Sequence, residues 1–248
     1  MISLASSIDV ASLRQQLAQS RRGTMQGLLE ADSAENVARA ARNAPRWNLV
    51  TRLGGRHMDL DARGMADLPE AKRREFEDRV HDVAREEFQY LYETYPLYDK
   101  YHSGALGTES PELAELFDWL NGDDFLGLMR KVLDVPEISF ADAQLTCYRA
   151  GHFLTTHDDA VSGKNRVAAY ILSLSDDWKP HWGGQLQFFG PDGEVEAAVV
   201  PRFNMLSLLK VPQPHAVLPV AAYAQKPRYS ITGWLRTGQD PALAPRAA

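Results

Sequence analysis

The 248-residue sequence has a single cysteine, Cys147, so an internal disulfide and any multi-thiolate zinc site are excluded. That agrees with a reducing compartment. Long apolar runs are missing as well: stretches such as Ala197 to Val200 and Met205 to Leu209 end far short of the roughly 18 residues a bilayer crossing needs. The opening, Met1 to Val10, lacks a basic patch followed by a long apolar core; no secretory signal is read there, and the cytoplasm is the expected location. There is no excess of positive charge. With 27 Lys and Arg against 33 Asp and Glu the net charge is −6, and no basic run is long enough to neutralise a phosphate backbone, which disfavours nucleic acid as a partner. Neither repeats nor low-complexity linkers divide the chain. What is present, 44% hydrophobic and 24% charged residues, is the composition of a globular protein, read as a single domain over residues 1–248.

Residues 1–136 read as a mostly helical support region. Apolar residues recur at three- and four-residue spacing from about Asp9 to Arg21, and a second helix is expected after Asp32, whose Glu35 three positions on suggests a capping box. Trp47 to Arg52 and Arg56 to Leu60, hinged at Gly54-Gly55, read as a hairpin at a sheet edge. From Pro69 to Thr94, the residues Phe76, Val80, Val83, Ala84, Phe88 and Leu91 lay one apolar stripe along a long helix. Two more helices are expected at Pro111 to Trp119, with Pro at the first helical position, and at Asp124 to Leu133. After Pro136 the pattern changes to short β-rich runs between Ile138 and Arg236, punctuated by Gly, Pro, Asp and Asn. Without helices between them, such runs predict a sandwich or jelly roll over residues 137–238 rather than a parallel sheet. The tail from Asp240 is expected to fray.

The segment Tyr148 to Asp159 carries the chemistry. In a strand, alternation would point His157 and Asp159 to one face and Asp158 to the other. His215, far downstream, could complete a set of two imidazoles and one carboxylate, which leaves coordination positions open as in non-haem iron(II) oxygenases. Such a set also suits catalytic zinc, but no His-Glu-x-x-His helix accompanies it. Arg228 and Ser230 offer a planar guanidinium and a hydroxyl on one strand face, as a buried carboxylate requires. Other residues read more plainly: Cys147 and Trp234 as core, Trp182 as packing over the roll, His152 as a surface or strand-edge histidine, and His57, His81 and His102 as solvated. The polar loop Ala160 to Asn165 is a candidate substrate lid.

Four motifs occur in order between Leu145 and Arg236: Tyr148-x-x-Gly151-x-Phe153-Leu154-x-x-His157-x-Asp159, Trp182-Gly183-Gly184-Gln185-Leu186, His215-x-Val217 with Pro219-Val220, and Arg228-x-Ser230 ending in Gly233-Trp234. Together they resemble the 2-oxoglutarate/iron(II) dioxygenase superfamily, in its prolyl-4-hydroxylase-like branch. The resemblance implies a mainly β fold, a double-stranded β-helix (jelly roll) preceded by an α-helical N-terminal region. It implies His157, Asp159 and His215 as iron ligands, Arg228 pairing with the distal carboxylate of 2-oxoglutarate, and Ser230 and Tyr148 assisting. Ser173 stands where relatives commonly carry a Tyr that reaches the cosubstrate. The cofactors implied are Fe(II), 2-oxoglutarate and O2, with ascorbate as an optional reductant. Asp159 fills the position that halogenating relatives leave for chloride, so hydroxylation of an unactivated C–H bond is the reaction expected. The substrate implied is a prolyl residue of a protein or peptide. Two alternatives stand beside it: the same chemistry on a free amino acid or small metabolite, and a catalytically silent metal-binding jelly-roll sensor.

Overall fold

Thirteen strands, all within residues 1–243 described by the computed structural model, join through antiparallel ladders into one sheet that folds over on itself. The chain enters through α1 (Val10–Ser20), where the Asp9 carboxylate accepts the Ser12 N–H at 2.9 Å and caps the first turn. β1 (Arg22–Gln26) follows, then α2 (Ala31–Arg42). The expected capping box at Asp32 does not form. The helix starts two residues earlier, Glu30 instead accepts the Ser6 N–H at 2.9 Å, and Ser33 accepts that of Ser3 at 3.1 Å, so an N-terminal strap replaces the box.

β2 (Asn48–Leu53) and β3 (Arg56–Asp61) form the predicted edge hairpin. After α3 (Ala62–Ala66) comes α4 (Glu70–Ala84), which is shorter than the helix expected to reach Thr94. From Tyr90 the chain is β4 (Tyr90–Tyr95), where alternating aromatics and long-range pairing override the helical stripe. Two short helices that the sequence pattern missed, α5 (Leu97–His102) and α6 (Ala105–Glu109), precede α7 (Pro111–Leu120) and α8 (Asp123–Leu133). The β region then runs β5 (Ile138–Ala141), β6 (Gln144–Tyr148), β7 (Phe153–His157), β8 (Arg166–Ser173), β9 (Leu186–Phe189), β10 (Val195–Val199), β11 (Met205–Lys210), β12 (His215–Val217) and β13 (Arg228–Thr237).

Strand order β1-β11-β8-β13-β6-β4 makes one layer and β7-β12-β9-β10 the other, joined where β4 pairs with both β6 and β7. Trp178, Trp182, Phe188 and Val217 pack with Tyr148 in one cluster. In another, Leu13 and Leu17 of α1, Leu116 of α7 and Met129 of α8 are buried with Leu145, Tyr170, Leu208 and Ile231 of the larger layer. Each such side chain is worth about 1.5–3 kcal/mol against exposure, so the helices are part of the core. This is the double-stranded β-helix with helical support that the sequence implied.

The tail does not fray at Asp240. Its carboxylate accepts the Tyr98 hydroxyl and the Ala242 N–H and lies 3.4 Å from His102 Nε2, so His102 is not simply solvated. Residues 244–248 of that tail lie outside the described residues. No helix among the described residues is long and apolar enough to cross a membrane.

Candidate active site

His157 ends β7 and His215 opens β12, and the ladder sets them directly opposite each other with ring centroids 4.1 Å apart. His157 Nδ1 lies 3.0 Å from the Thr155 carbonyl and His215 Nδ1 2.7 Å from that of Gln213. With Nδ1–H donating, both lone pairs sit on Nε2. Asp159 joins them for a reason other than strand alternation. β7 stops at His157, and Asp159 has φ = 65°, in the left-handed region that Asp tolerates better than most residues. That turn brings Oδ1 to 3.5 Å from His157 Nε2 and Oδ2 to 3.5 Å from His215 Nε2. The three ligand atoms lie within 4.8 Å of one another, a set able to grip one metal ion.

Burial pushes His215 down to about 4, aided by His157 next to it, which keeps the imidazole neutral and its lone pair free at neutral pH. Burial also pushes the Asp159 carboxyl upward. The contacts with His157, His215 and Trp234 more than offset it, and the carboxyl is held below its ordinary value.

The three ligands line a cavity of about 450 Å³ between the layers. Arg228 lines it too, 4% exposed and with no hydrogen-bond partner at Nε. Nothing with a Cβ fits easily beside it: at Gly184, whose φ is +65°, that atom would lie 3.2 Å from Arg228 Cδ. Arg166 and Thr232 also line the cavity, and each carries a buried polar atom without a hydrogen-bond partner, Nε and Oγ1. A buried guanidinium and several unsatisfied donors suit an anionic, oxygen-rich ligand, because leaving each one unpaired costs about 1–3 kcal/mol. The residues therefore fit both a divalent metal and a dicarboxylate.

Of the residues singled out in the sequence, His157, Asp159, His215, Tyr148 and Arg228 come together around this cavity. Ser230 and Ser173 are buried and do not line it. The Ser230 hydroxyl pairs with Thr146 Oγ1 at 2.7 Å, and Ser173 Oγ has no partner. Ala160 and Val161 of the suspected lid do line the cavity. Among the lining residues that went unrecognised are Phe88, Tyr90, Tyr92 and Arg166, and Thr232 and Trp234 went unused although they follow Arg228 at even steps along one strand face. His152, read as superficial, is 9% exposed and burial pushes it down to about 4. His57 is exposed as expected, with Nδ1 2.6 Å from the Tyr90 hydroxyl.

The chain is similar to known proteins in sequence and in fold. Residues 143–236 match the sequence model of the 2OG-Fe(II) oxygenase superfamily. Prolyl 3-hydroxylase sudestada1 of Drosophila melanogaster is 30% identical over 111 residues, covering 40% of this chain, and the chain spans about a fifth of that relative's length. Among solved structures, a prolyl-4-hydroxylase from Pseudomonas putida aligns with TM-score 0.61 at 20% identity, over 93% of this chain and 100% of that one. A Trichoplax adhaerens prolyl hydroxylase in complex with a hypoxia inducible factor peptide fragment aligns with TM-score 0.58 at 14% identity, over 92% and 89%. Residues 143–236 are thus similar in sequence to the 2OG-Fe(II) oxygenase superfamily, and these solved structures share the fold of the chain.

Proposed function

We propose that this chain, a 2OG-Fe(II) oxygenase of the prolyl-hydroxylase-like kind, hydroxylates a prolyl residue of a protein or peptide. His157, Asp159 and His215 hold iron(II), and Arg228 receives the distal carboxylate of 2-oxoglutarate. The observation that carries this reading is the pairing of the two-imidazole, one-carboxylate cluster with a buried, unpaired guanidinium in the same cavity. When bound, the metal and cosubstrate use O2 to convert 2-oxoglutarate to succinate and CO2 and to insert one oxygen atom into a substrate C–H bond, with ascorbate as an optional reductant.

The chain's own residues bind and exclude. Thr155 and Gln213 fix the tautomers of the two imidazoles through their carbonyls. Arg228 offers a charged fork in a setting shielded from water, where a carboxylate pairs strongly. Tyr148, with its ring 5.1 Å from the guanidinium carbon, closes the side of that pocket. Ser230 acts from outside the cavity by tying Thr146, which lines it, in place. Phe88 and Val161, 39% and 49% exposed, give the mouth an apolar rim suited to a polypeptide. We read residues 1–248 as one domain and place it in the cytoplasm.

The test is anaerobic loading with iron(II) and 2-oxoglutarate, then exposure to air with a peptide pool. The expected result is succinate formation coupled to a one-oxygen mass gain on Pro. Turnover confined to small amines or acids would move the substrate to a free metabolite. Succinate at background with every substrate, despite bound iron, would leave a silent metal-binding module.

A further inference from the structure

One wall of the cavity is a connected row of aromatic rings. Tyr148 stacks on Tyr92 with centroids 5.0 Å apart, Tyr92 lies 5.7 Å from Tyr90, and Phe88 lies 5.6 Å from Tyr90. Two-residue steps along and just before β4 place Phe88, Tyr90 and Tyr92 on one face. Both ends of the row touch the metal and cosubstrate site. Phe88 is 5.5 Å from the ring of His157, and Tyr148 lies beside Arg228. The two routes converge on Tyr90.

Tyr90 differs from the other two phenols in what its hydroxyl meets. It is 2.6 Å from Nδ1 of His57, an exposed imidazole on β3. Tyr148 is 3% exposed in an apolar cluster. A phenol gives up an electron easily only when its proton can leave with it, because the oxidised phenol is a strong acid. Of the three, Tyr90 alone has an imidazole in place to take that proton, and that imidazole is open to solvent.

We propose that Tyr148, Tyr92 and Tyr90, ending at His57, form an outlet that carries oxidising equivalents from the metal site to the surface when cosubstrate is consumed with no substrate in the cavity. This rests on the function proposed above. The oxidant is the iron centre left oxidised by O2 after such an uncoupled turnover. In each of two steps one electron passes from Tyr90 inward through the row and reduces the metal by one equivalent while a proton from solvent goes to the oxygen atom retained there, so that after both steps that atom leaves as water. The Tyr90 O–H proton passes to His57 Nδ1, leaving a neutral phenoxyl radical and an imidazolium at the surface. An external one-electron donor of the thiol or ascorbate class restores Tyr90, and the proton returns from His57. The outlet spares the side chains that line the cavity from oxidation.

The iron(II)-loaded full chain is mixed with 2-oxoglutarate and O2 without substrate, freeze-quenched, and examined by electron paramagnetic resonance. A tyrosyl signal is expected in the wild type, lost in Tyr90→Phe and severalfold weaker in His57→Phe. Peptide mass spectrometry is expected to find severalfold more oxidised cavity residues in both variants. An undiminished signal in Tyr90→Phe, or uncoupled cosubstrate consumption with no tyrosyl signal in the wild type, overturns the proposal. A second arm needs no iron. Flash photo-oxidation of the metal-free chain by a ruthenium polypyridyl complex should form a phenoxyl radical whose yield drops severalfold in both variants. If the wild type consumes no 2-oxoglutarate, the functional reading fails by itself, and the photo-oxidation arm decides the outlet: equal yields in all three proteins sink it.

Discussion

Asp159 and Arg166 are held together through the main chain: an Arg166 Nη1–H donates to the Asp159 carbonyl at 3.0 Å, while the guanidinium lies 3.5 Å from the Trp234 ring centroid. The residue so held has φ = 65°, which costs a non-glycine residue of order 1 kcal/mol or more and needs neighbours to maintain it. Arg166 is thus a positioning residue for the carboxylate that meets both imidazoles. In the metal-free fold its partner persists, so losing the guanidinium should loosen the ligand rather than unfold the chain.

Arg166→Met is accordingly expected to weaken metal binding about ten- to a hundredfold, the equivalent of one charge-assisted hydrogen bond of roughly 1.5–3 kcal/mol. Anaerobic cobalt(II) titration, read from its visible bands, measures this. Asp159→Asn, which keeps the left-handed backbone accessible, should fold like the wild type yet bind metal weakly, and Asp159→Ala should abolish coupled turnover. Metal affinity unchanged in Arg166→Met would remove the positioning role.

Arg228→Ala should act at the other end of the cavity. The guanidinium is buried and its Nε has no partner within the protein, so a bound dicarboxylate supplies what the fold withholds. Affinity for 2-oxoglutarate is expected to fall about ten- to a hundredfold, with metal affinity unaltered. Calorimetric titration with 2-oxoglutarate in the presence of manganese(II) separates the two quantities.

The β-roll and the residues of the site were legible because turn residues punctuate the strands and because four ordered motifs carry the resemblance. His157 and Asp159 do meet, but alternation was the wrong reason. A backbone turned to φ = 65° leaves no periodic trace in a sequence. The wall of aromatics was invisible for a different reason. Phe88 and Leu91 continue the apolar stripe of the preceding helix, and only pairing of β4 with β2, β6 and β7, all distant or unformed at the level of local sequence, makes Tyr90 to Tyr95 a strand. Arg166 opens β8 and carries a charge that local sequence assigns to solvent; its place over Trp234 depends on two strands that meet in space. His152 was misread because burial on the far side of the Gly151 turn is a tertiary property.

Gly184→Ala offers a test of the cosubstrate pocket that leaves its charged group in place. The added methyl would lie 3.2 Å from Arg228 Cδ and 3.3 Å from both Trp178 and Val220, all buried, at a backbone angle that already disfavours a side chain. Arg228 must then shift by a few tenths of an ångström. The expected result is weaker 2-oxoglutarate binding with metal affinity retained, read by the same titration. If melting temperature falls while cosubstrate affinity stays at the wild-type value, the glycine serves packing alone.

His152 predicts the acid limb of stability. The residue is 9% exposed, and burial pushes its imidazole down to about 4, with Glu93 opposing and Arg149 reinforcing that push. In the unfolded chain the value is about 6.5. Between these values the unfolded state binds the proton and the native state does not, so stability is full above about 6.5 and is lost as the pH falls toward 4. A separation of this size corresponds to roughly 3 kcal/mol from this one residue. Urea unfolding of metal-free protein from neutral pH down to about 4 should therefore show a steep loss in the wild type. His152→Gln, which cannot titrate there, should lose less over the same interval, even if its stability at neutral pH is lower. His215, also held near 4 in the metal-free protein, supplies a similar loss that remains in the variant. Parallel curves for the two proteins would show that the native chain binds the His152 proton as readily as the unfolded one and that burial does not lower its affinity.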